Sequence, residues 1–560
     1  MIRLCVPLTG STCEQMQADL ATAAAAGADV VELRLDYLQD WDEAAVTRLL
    51  DAAARFPGEV IATYRTAAEG GHYDGNEDER ISRLEFVGLH EAVDYIDVEY
   101  ESWRKSANIQ QKIGLVCEVW DRLPAGHSDR QDAGPTPESS PAIRSDSTTR
   151  SRKQLILSKH NFASTPFDLD PMLAAVARER PHVVKIACKA ATVVDAVRML
   201  DELRRSAAAR PTIALSMGEP GIITRVMARK FGALLTFASL DAGKESAPGQ
   251  VTLADMRNLY RWEAIGPATL IYGVIGCPVG HSMSPAILNA AFGRENVDAV
   301  YLPFRVEPDY NSFASFIDAC VRRPWLGLRG CSVTIPHKEN LLRYVERRGG
   351  YVEPLAARIG AANTLVIEPG EHEDGTDAQV SAYNTDYRGA MDALLAGMNR
   401  TREQMASVSV AVFGAGGVSR AIVAGLRDCG CAVTIYNRTH AKAESLAAEF
   451  SAEALPWEDR VRQGADVIIN CTSIGMTPKA DETPMPVEGL AGKPMVFDTV
   501  YNPIETRLLR EARQCGCPSV DGVAMFIGQA AAQFERWTGQ AAPVDLMREV
   551  VICRLTQGVS

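Results

Sequence analysis

Short apolar runs alternate with alanine-rich amphipathic stretches through the first half of the chain. The runs are Arg3–Leu8, Val30–Leu35, Val60–Arg65, Tyr95–Tyr100, Leu155–His160, Val183–Ala187, Thr212–Ser216 and Leu234–Ala238. Each is largely apolar and has the length of a strand. Segments such as Cys13–Ala26 and Ala191–Arg205 lie between them and carry apolar residues at helical spacing. Eight strand–helix repeats in about 250 residues predict an α/β protein beginning with a TIM (β/α)8 barrel over residues 1–262. One stretch competes with this reading. Ile113–Trp120 has the composition of a ninth strand, but Ile109, Ile113, Val116 and Trp120 share one helical face, so the fourth barrel helix is expected there. The following stretch, Pro124–Arg152, is rich in Ser, Pro, Asp, Arg and Thr. It has too little apolar surface to order itself and is expected to be a floppy insertion on the N-terminal face of the barrel.

The pattern restarts at Ile271-Tyr-Gly-Val-Ile-Gly after a very short linker. A second α/β unit is expected over 270–395 and a third over 405–510. Residues 520–560 are helical in pattern and are expected to pack back on the second unit. Where charge is placed narrows the partners: a net charge of −13 leaves no basic field for nucleic acid, and no Lys/Arg run suggests an anionic membrane. Ala264–Gly293 lacks charged residues, but Gly and Pro interrupt it too often for a membrane span. Thirteen cysteines without framework spacing fit reduced thiols, and the close pairs Cys429/Cys431 and Cys515/Cys517 each lack the second ligand pair of a zinc site, so no metal is expected. The chain enters a strand-like run at once with no signal or transit peptide ahead of it, and a cytoplasmic location is expected.

Candidate chemistry in the first half gathers at strand C-termini. Glu32 and Arg34 alternate with Leu33 and Leu35 and so face the barrel mouth; Arg65 with Glu69-Gly-Gly, and Asp97 with Glu99, repeat the arrangement. Any one of these reads as a structural ion pair, but their shared position points to a site. Lys185 lies in Val183-Val184-Lys185-Ile186-Ala187, where apolar enclosure is expected to depress its pKa and free the amine for Schiff-base chemistry. His160 ends the neighbouring strand and is placed to move protons. Arg225 is suited to clamp a carboxylate, and Gln250 to hydrogen-bond a hydroxyl. The ordered motifs Glu-Leu-Arg, Ser-x-His-x-Phe, Lys-Ile-Ala, Ser-Met-Gly and Ser-Ala-Pro-Gly-Gln over residues 1 to about 262 resemble a type I 3-dehydroquinate dehydratase. The resemblance implies a Schiff base at Lys185, general acid–base work by His160, and substrate binding by Glu32, Arg34, Arg65, Arg225, Ser246 and Gln250. Asn161 stands where many members have aspartate.

In the second half Gly280-His-Ser282-Met-Ser284-Pro285 presents two hydroxyls in one turn, which also reads simply as a helix cap. Ser332-Val-Thr-Ile-Pro-His-Lys338 ends a strand at proline and projects a lysine expected to stay charged, and Asp386 is the carboxylate expected to hold it. Gly414-Ala415-Gly416-Gly417-Val418-Ser419 follows an apolar run and precedes a helical pattern, the context that aims backbone N–H groups at a pyrophosphate. About twenty residues on, Asn437-Arg438-Thr439 occupies the place of the acid found in NAD enzymes, which favours NADP. Together with Asn-Thr-Asp, Asn-Cys-Thr-Ser-x-Gly-Met, Tyr-Asn-Pro-x-Glu-Thr and Met-Phe-Ile-Gly-Gln529, these motifs resemble shikimate dehydrogenase over about 270–560. The resemblance implies Lys338 and Asp386 as the catalytic pair. It implies substrate contacts from Ser282, Ser284, Thr334, Asn363, Tyr501 and Gln529, and cofactor contacts from Gly414 to Val418, Asn437, Arg438, Thr439, Lys442, Thr499 and Gly522. Ser332 replaces the usual asparagine, which is expected to weaken one substrate hydrogen bond by about 1 kcal/mol, and Leu288 replaces a histidine.

The expectation is a bifunctional shikimate-pathway enzyme that uses NADPH, acts on small molecules and is a monomer or weak homodimer. A quinate dehydrogenase is the first rival; Ser284 and Thr334, rather than glycine, favour the smaller substrate. A fused sensor that has lost catalysis is the second, and Lys185, His160, Lys338 and Asp386 speak against it.

Overall fold

The computed structural model describes residues 2–122, 153–280, 282–372, 374–462 and 464–557. The expected insertion at 124–152 lies outside the described residues. The chain divides into two compact units, one of Met1–Ala191 with Asp195–Arg257, the other of Asn258–Ser560 with Thr192–Val194.

The first unit is a parallel eight-stranded sheet in which neighbours in space are neighbours in sequence, with β1 lying between β2 and β8. Its strands are β1 Arg3–Leu8, β2 Val30–Arg34, β3 Glu59–Thr63, β4 Tyr95–Glu99, β5 Gln154–Asn161, β6 Val183–Lys189, β7 Thr212–Met217 and β8 Leu235–Phe237. At the remaining seam Leu234 N donates to Thr212 O at 2.9 Å, which brings the start of β8 against β7. Alternation along each strand sorts the interior into layers. Cys5, Val30, Ile61, Tyr95, Ile156, Val183, Ile213 and Leu235 fill the lower barrel with apolar surface. Two residues further along the strands the inward positions become Glu32, Thr63, Asp97, Ser158 and Lys185, all buried. The stretch Ile113–Trp120 is helical, within Ala107–Arg122, and Ile109, Ile113 and Val116 are its buried face.

The second unit holds two six-stranded sheets. The first comprises β9 Leu270–Gly276, β10 Ala299–Arg305, β11 Leu328–Val333, β12 Tyr351–Val352, β13 Thr364–Glu368 and β14 Gln379–Tyr383, in the order β10-β9-β11-β13-β14-β12. The β9–β10 and β9–β11 pairs are parallel, whereas β13 runs antiparallel to both β11 and β14. The second comprises β15 Ser409–Phe413, β16 Ala432–Tyr436, β17 Glu453–Leu455, β18 Val467–Asn470, β19 Met495–Asp498 and β20 Ser519–Val520. It is parallel throughout in the order β17-β16-β15-β18-β19-β20, so the order reverses at β15 and leaves a crevice at its C-terminal end. The closing helices Gly522–Thr538 and Val544–Gln557 share a core with β9, β10 and the helix Ser284–Arg294 through Val523, Ile527, Phe534, Met547 and Val551. Gly389 permits close approach of the helix Asp386–Met398 to Gly522–Thr538, since a Cβ there would lie 2.8 Å from Gln529 N. Among the described residues no helix is long and apolar enough to cross a membrane.

Candidate active sites

At the C-terminal ends of the barrel strands a cavity is lined by Glu32, Arg34, Arg65, Glu69, His160, Lys185, Arg225, Ser246 and Gln250, with Phe162, Met217 and Phe237 among its apolar walls. All eight barrel residues expected at a site therefore meet in one place. The Lys185 ammonium lies 4.5 Å from the Phe237 ring centroid, the apolar flank anticipated from β6. On its other side it donates to Asp97 Oδ2 at 2.7 Å and Glu32 Oε1 at 3.3 Å. The purely apolar enclosure expected from the local sequence is thus corrected: inward positions of β2 and β4 supply counter-charges that no local reading of β6 contains.

Asp97 is the hub. It also accepts from Arg65 Nη2 at 2.9 Å and Ser158 Oγ at 2.6 Å. Burial alone would raise its carboxyl, but the Arg65 guanidinium and the Lys185 ammonium hold it well below the usual carboxylate range. His160 Nδ1 lies 2.9 Å from Glu69 Oε2, which also accepts from the His160 backbone N–H. Burial, together with the Arg65 and Lys185 cations, keeps the imidazole well below its usual range, so it is neutral. Burial raises the Glu69 carboxyl to about 7. Arg34 makes a bidentate pair with Asp36 at 2.9 and 2.7 Å, and Ser246 and Gln250 hold each other, Gln250 Nε2 donating to Ser246 Oγ at 3.0 Å. Asn161 closes a turn by accepting from Ala163 and Ser164 N–H groups. Arg225 differs from all of these. It sits in the short helix Ile222–Val226, is 1 % exposed, and none of its three guanidinium nitrogens has a hydrogen-bond partner. Burial lowers its pKa to about 10, still protonated at neutral pH. A buried unpaired cation is costly, and a bidentate anion would relieve it.

In the second unit Lys338 begins the helix Lys338–Arg347 and Asp386 begins Asp386–Met398; Lys338 Nζ donates to Asp386 Oδ2 at 2.5 Å. Asn363 stands beside them: its Oδ1 accepts from Thr385 N at 2.8 Å and its Nδ2 donates to Thr385 Oγ1 at 3.0 Å, leaving one N–H uncommitted by this pair. Ser282 Oγ accepts from Ser284 N in the turn ahead of Pro285. Thr334 follows β11. Tyr501 stacks on Phe526 at 4.3 Å, and Gln529 spends an amide N–H on Phe526 O at 3.0 Å. Ser332 behaves differently from the expectation. Its hydroxyl accepts from Tyr301 OH at 2.6 Å and donates to Gln533 Oε1 at 2.6 Å, so its proton is already spent inside the fold. Gln533 in turn donates to Asn363 O and Thr364 Oγ1. The strand ends had drawn attention to Glu69, Asp97 and Glu99 without giving any of them a role, and Tyr301 and Gln533 had not been nominated at all. The strand alternation carries Asp97, and Gln533 lies one helical turn beyond Gln529.

The residues around β15 fit a dinucleotide. Gly414 has φ +109°, and a Cβ there would lie 3.2 Å from the Cys471 backbone. Gly416 caps the helix Gly417–Asp428 and donates its N–H to Ser419 Oγ. A Cβ at Gly417 would come within 3.1 Å of Lys338 Cδ, which brings the glycine turn against the Lys338–Asp386 pair. Asn437 Nδ2 donates to Thr439 O, shaping the turn after β16, and Arg438 and Lys442 are exposed there. Thr499 donates to Asn470 O at 2.8 Å, and Gly522 packs bare against Thr499 and Val500 carbonyls.

Family models match stretches of both units. The type I 3-dehydroquinase family model matches residues 4–116 and 137–267. The model for the shikimate dehydrogenase substrate binding domain matches 274–365, that for shikimate / quinate 5-dehydrogenase 397–480, and that for the shikimate 5'-dehydrogenase C-terminal domain 522–552. A shikimate dehydrogenase (NADP(+)) of Methanosarcina mazei is 40% identical over 50% of this chain and 97% of its own. A solved shikimate 5-dehydrogenase of Thermus thermophilus in complex with NADP(H) and shikimate is 31% identical, covering 51% of this chain and 100% of its own, with a TM-score of 0.44. The bifunctional 3-dehydroquinate dehydratase/shikimate dehydrogenase, chloroplastic, of Arabidopsis thaliana is 34% identical over 98% of this chain and 84% of its own length. The chain belongs to the family of bifunctional 3-dehydroquinate dehydratase/shikimate dehydrogenases.

Proposed function

We propose that the barrel dehydrates 3-dehydroquinate to 3-dehydroshikimate through an imine at Lys185, and that the second unit reduces 3-dehydroshikimate to shikimate with NADPH. The observation that carries the first half is Arg225: a buried, unpartnered guanidinium lining the same cavity as Lys185 and His160 calls for the carboxylate of the substrate. With the carboxylate clamped, Lys185 Nζ adds to the ketone and water leaves as the imine forms. Neutral His160 removes the proton α to the imine, and the β-hydroxyl departs as water with the proton His160 returns to it. Glu69, bonded to Nδ1, orients the ring so that Nε2 works toward the substrate. Glu32, Arg34, Arg65, Ser246 and Gln250 hold the ring hydroxyls. Hydrolysis of the imine then releases 3-dehydroshikimate and regenerates the amine.

In the second unit Lys338, held by Asp386, gives the proton that the ketone oxygen takes up on reduction. The bound nicotinamide supplies the hydride. Gly414, Ala415, Gly416, Gly417 and Val418 would hold its pyrophosphate, with Thr499 and Gly522 bordering the ring. Arg438 and Lys442, with Asn437 and Thr439, would meet the 2′-phosphate. Ser282, Ser284, Thr334, Asn363, Tyr501 and Gln529 surround the substrate. Borohydride reduction in the presence of dehydroquinate tests the imine: a mass increase on the peptide containing Lys185 is expected, and Lys185→Met should abolish both the adduct and dehydration while leaving reduction of dehydroshikimate within twofold. An unlabelled Lys185 under turnover contradicts the assignment.

A further inference from the structure

His337, which precedes Lys338 in the Ile-Pro-His-Lys turn, is fully buried and takes no part in the chemistry above. Its hydrogen bonds define its charge state from geometry alone. Nε2 lies 3.0 Å from Val306 O, and a carbonyl only accepts, so Nε2 carries the proton. Nδ1 lies 3.0 Å from Asn340 Nδ2. The same Asn340 nitrogen donates to Pro308 O at 3.4 Å, which identifies it as the amide nitrogen and leaves Nδ1 as an acceptor. Both ring nitrogens are therefore satisfied only in the neutral Nε2–H form. The ring also stacks on Phe313 at 5.2 Å, from the helix Tyr310–Val321.

The turn that the imidazole anchors is exposed at its tip and tied at its end, where Ala362 N reaches Lys338 O at 3.0 Å. Ile335 is 70 % exposed, and Pro336 beside it is exposed too. Thr334 N reaches Ile275 O on β9 and Cys277 N reaches Ile335 O, which ties one side of the turn. The imidazole ties the other side to the segment after β10. Lys338 leaves this turn directly to meet Asp386.

We propose that His337 is a positioning residue for Lys338: its neutral imidazole pins the turn that aims the ammonium, and protonation at Nδ1 would set a donor against the Asn340 donor and release that turn. This rests on the reading of Lys338 and Asp386 as the working pair. Of the groups facing the ring, Asp309 at the start of Tyr310–Val321 is charged, and its carboxylate favours the protonated form. Its pull is divided, since it also accepts from Ser312 N and Oγ. Phe313 and, on the helix Lys338–Arg347, Asn340 carry no charge. Burial opposes protonation and lowers the imidazole from its usual range.

The test uses full-length protein and the pH profile of kcat for shikimate oxidation with NADP. His337→Gln keeps one donor and one acceptor but cannot protonate. It should retain kcat within threefold at pH 8 and move the acid limb to lower pH. Asn340→Ala removes the opposing donor, so protonation becomes easier and the acid limb should move to higher pH, with KM for NADP unchanged. Opposite displacements are expected from the two variants; a merely structural role would lower thermal stability without moving either limb. Acid limbs that superimpose on the unsubstituted protein in both variants overturn the proposal. Lys338→Met, run alongside, separates the layers: if it retains kcat the catalytic pair itself is wrong, whereas loss of kcat there with unmoved limbs in the other two refutes only the role of His337.

Discussion

Replacing Arg225 with methionine is expected to stabilise the barrel and disable it together. In the free protein the guanidinium is 1 % exposed, without a hydrogen-bond partner, and held by burial at about 10 instead of 12.5. At about 1.4 kcal/mol per tenfold, folding destabilises the charged form by roughly 3 kcal/mol. Methionine fills most of the stem's volume, and the repacking should return about 1 kcal/mol of that gain. A net gain of roughly 2 kcal/mol in a unit of this size raises the melting transition by about 4–8 °C. If Arg225 clamps the substrate carboxylate as proposed, two charge-assisted hydrogen bonds worth about 1.5–3 kcal/mol each are lost, so KM for dehydroquinate should rise at least about a hundredfold. Calorimetry of the barrel transition, and the ultraviolet absorbance of the conjugated enone product, read the two effects separately. Ligand should raise the transition of the unsubstituted protein and not that of the variant. A variant that melts lower than the original would mean that the guanidinium is satisfied within the fold, and an unchanged KM would mean that it does not hold the substrate; either result overturns the role given to Arg225.

Three further outcomes follow from particular contacts. Burial raises Glu69 to about 7, and its anion holds the Nδ1–H of His160 more strongly than the neutral acid does; dehydratase kcat/KM should therefore fall as pH drops below about 7, and Glu69→Gln should flatten that limb. Arg438 is an exposed cation at the end of β16 where no acid stands, so Arg438→Ala should raise KM for NADPH about tenfold, a loss of roughly 1.4 kcal/mol, with little effect on NADH. Ser332→Ala removes the hydroxyl between Tyr301 and Gln533; leaving those buried groups unmet should cost about 1–3 kcal/mol in chemical denaturation of the second unit.

The barrel was legible because each strand is a separate apolar run and each inward alternation repeats the same chemistry. Even the ambiguous Ile113–Trp120 resolved on the helical spacing of Ile109, Ile113 and Val116. Pairing over distance was not legible. Asp97 and Lys185 are 88 residues apart, and nothing around Lys185 in sequence announces a carboxylate. Ser332 shows a second limit. Judged against the family's asparagine it reads as a weakened ligand; in the fold its hydroxyl is a structural tie, because Tyr301 from β10 and Gln533 from a helix 201 residues away converge on it.

Burial does not separate the two lysines, as the local sequence had suggested it would: Lys185 is 4 % exposed and Lys338 9 %, and each touches a carboxylate. What differs is the next neighbour. Lys185 shares its cavity with an imidazole that is neutral and with Glu69, raised to about 7, so a proton leaving the amine has an acceptor whose affinity matches neutral pH. Lys338 is paired instead with Asp386, and among the described residues no second carboxylate is bonded to it. The imidazole beside it in sequence points away, its lone pair already committed to Asn340, and its stem packs against the bare backbone of Gly417. On the proposed roles, a proton acceptor in the same cavity suits Lys185 to act as the nucleophile, and a lone carboxylate partner suits Lys338 to act as the donor. On this reading His160→Asn should reduce imine formation at Lys185 as well as the elimination, visible as slower borohydride trapping at neutral pH that recovers as pH rises. Trapping as fast as in the unsubstituted protein would show that His160 is not needed to take that proton.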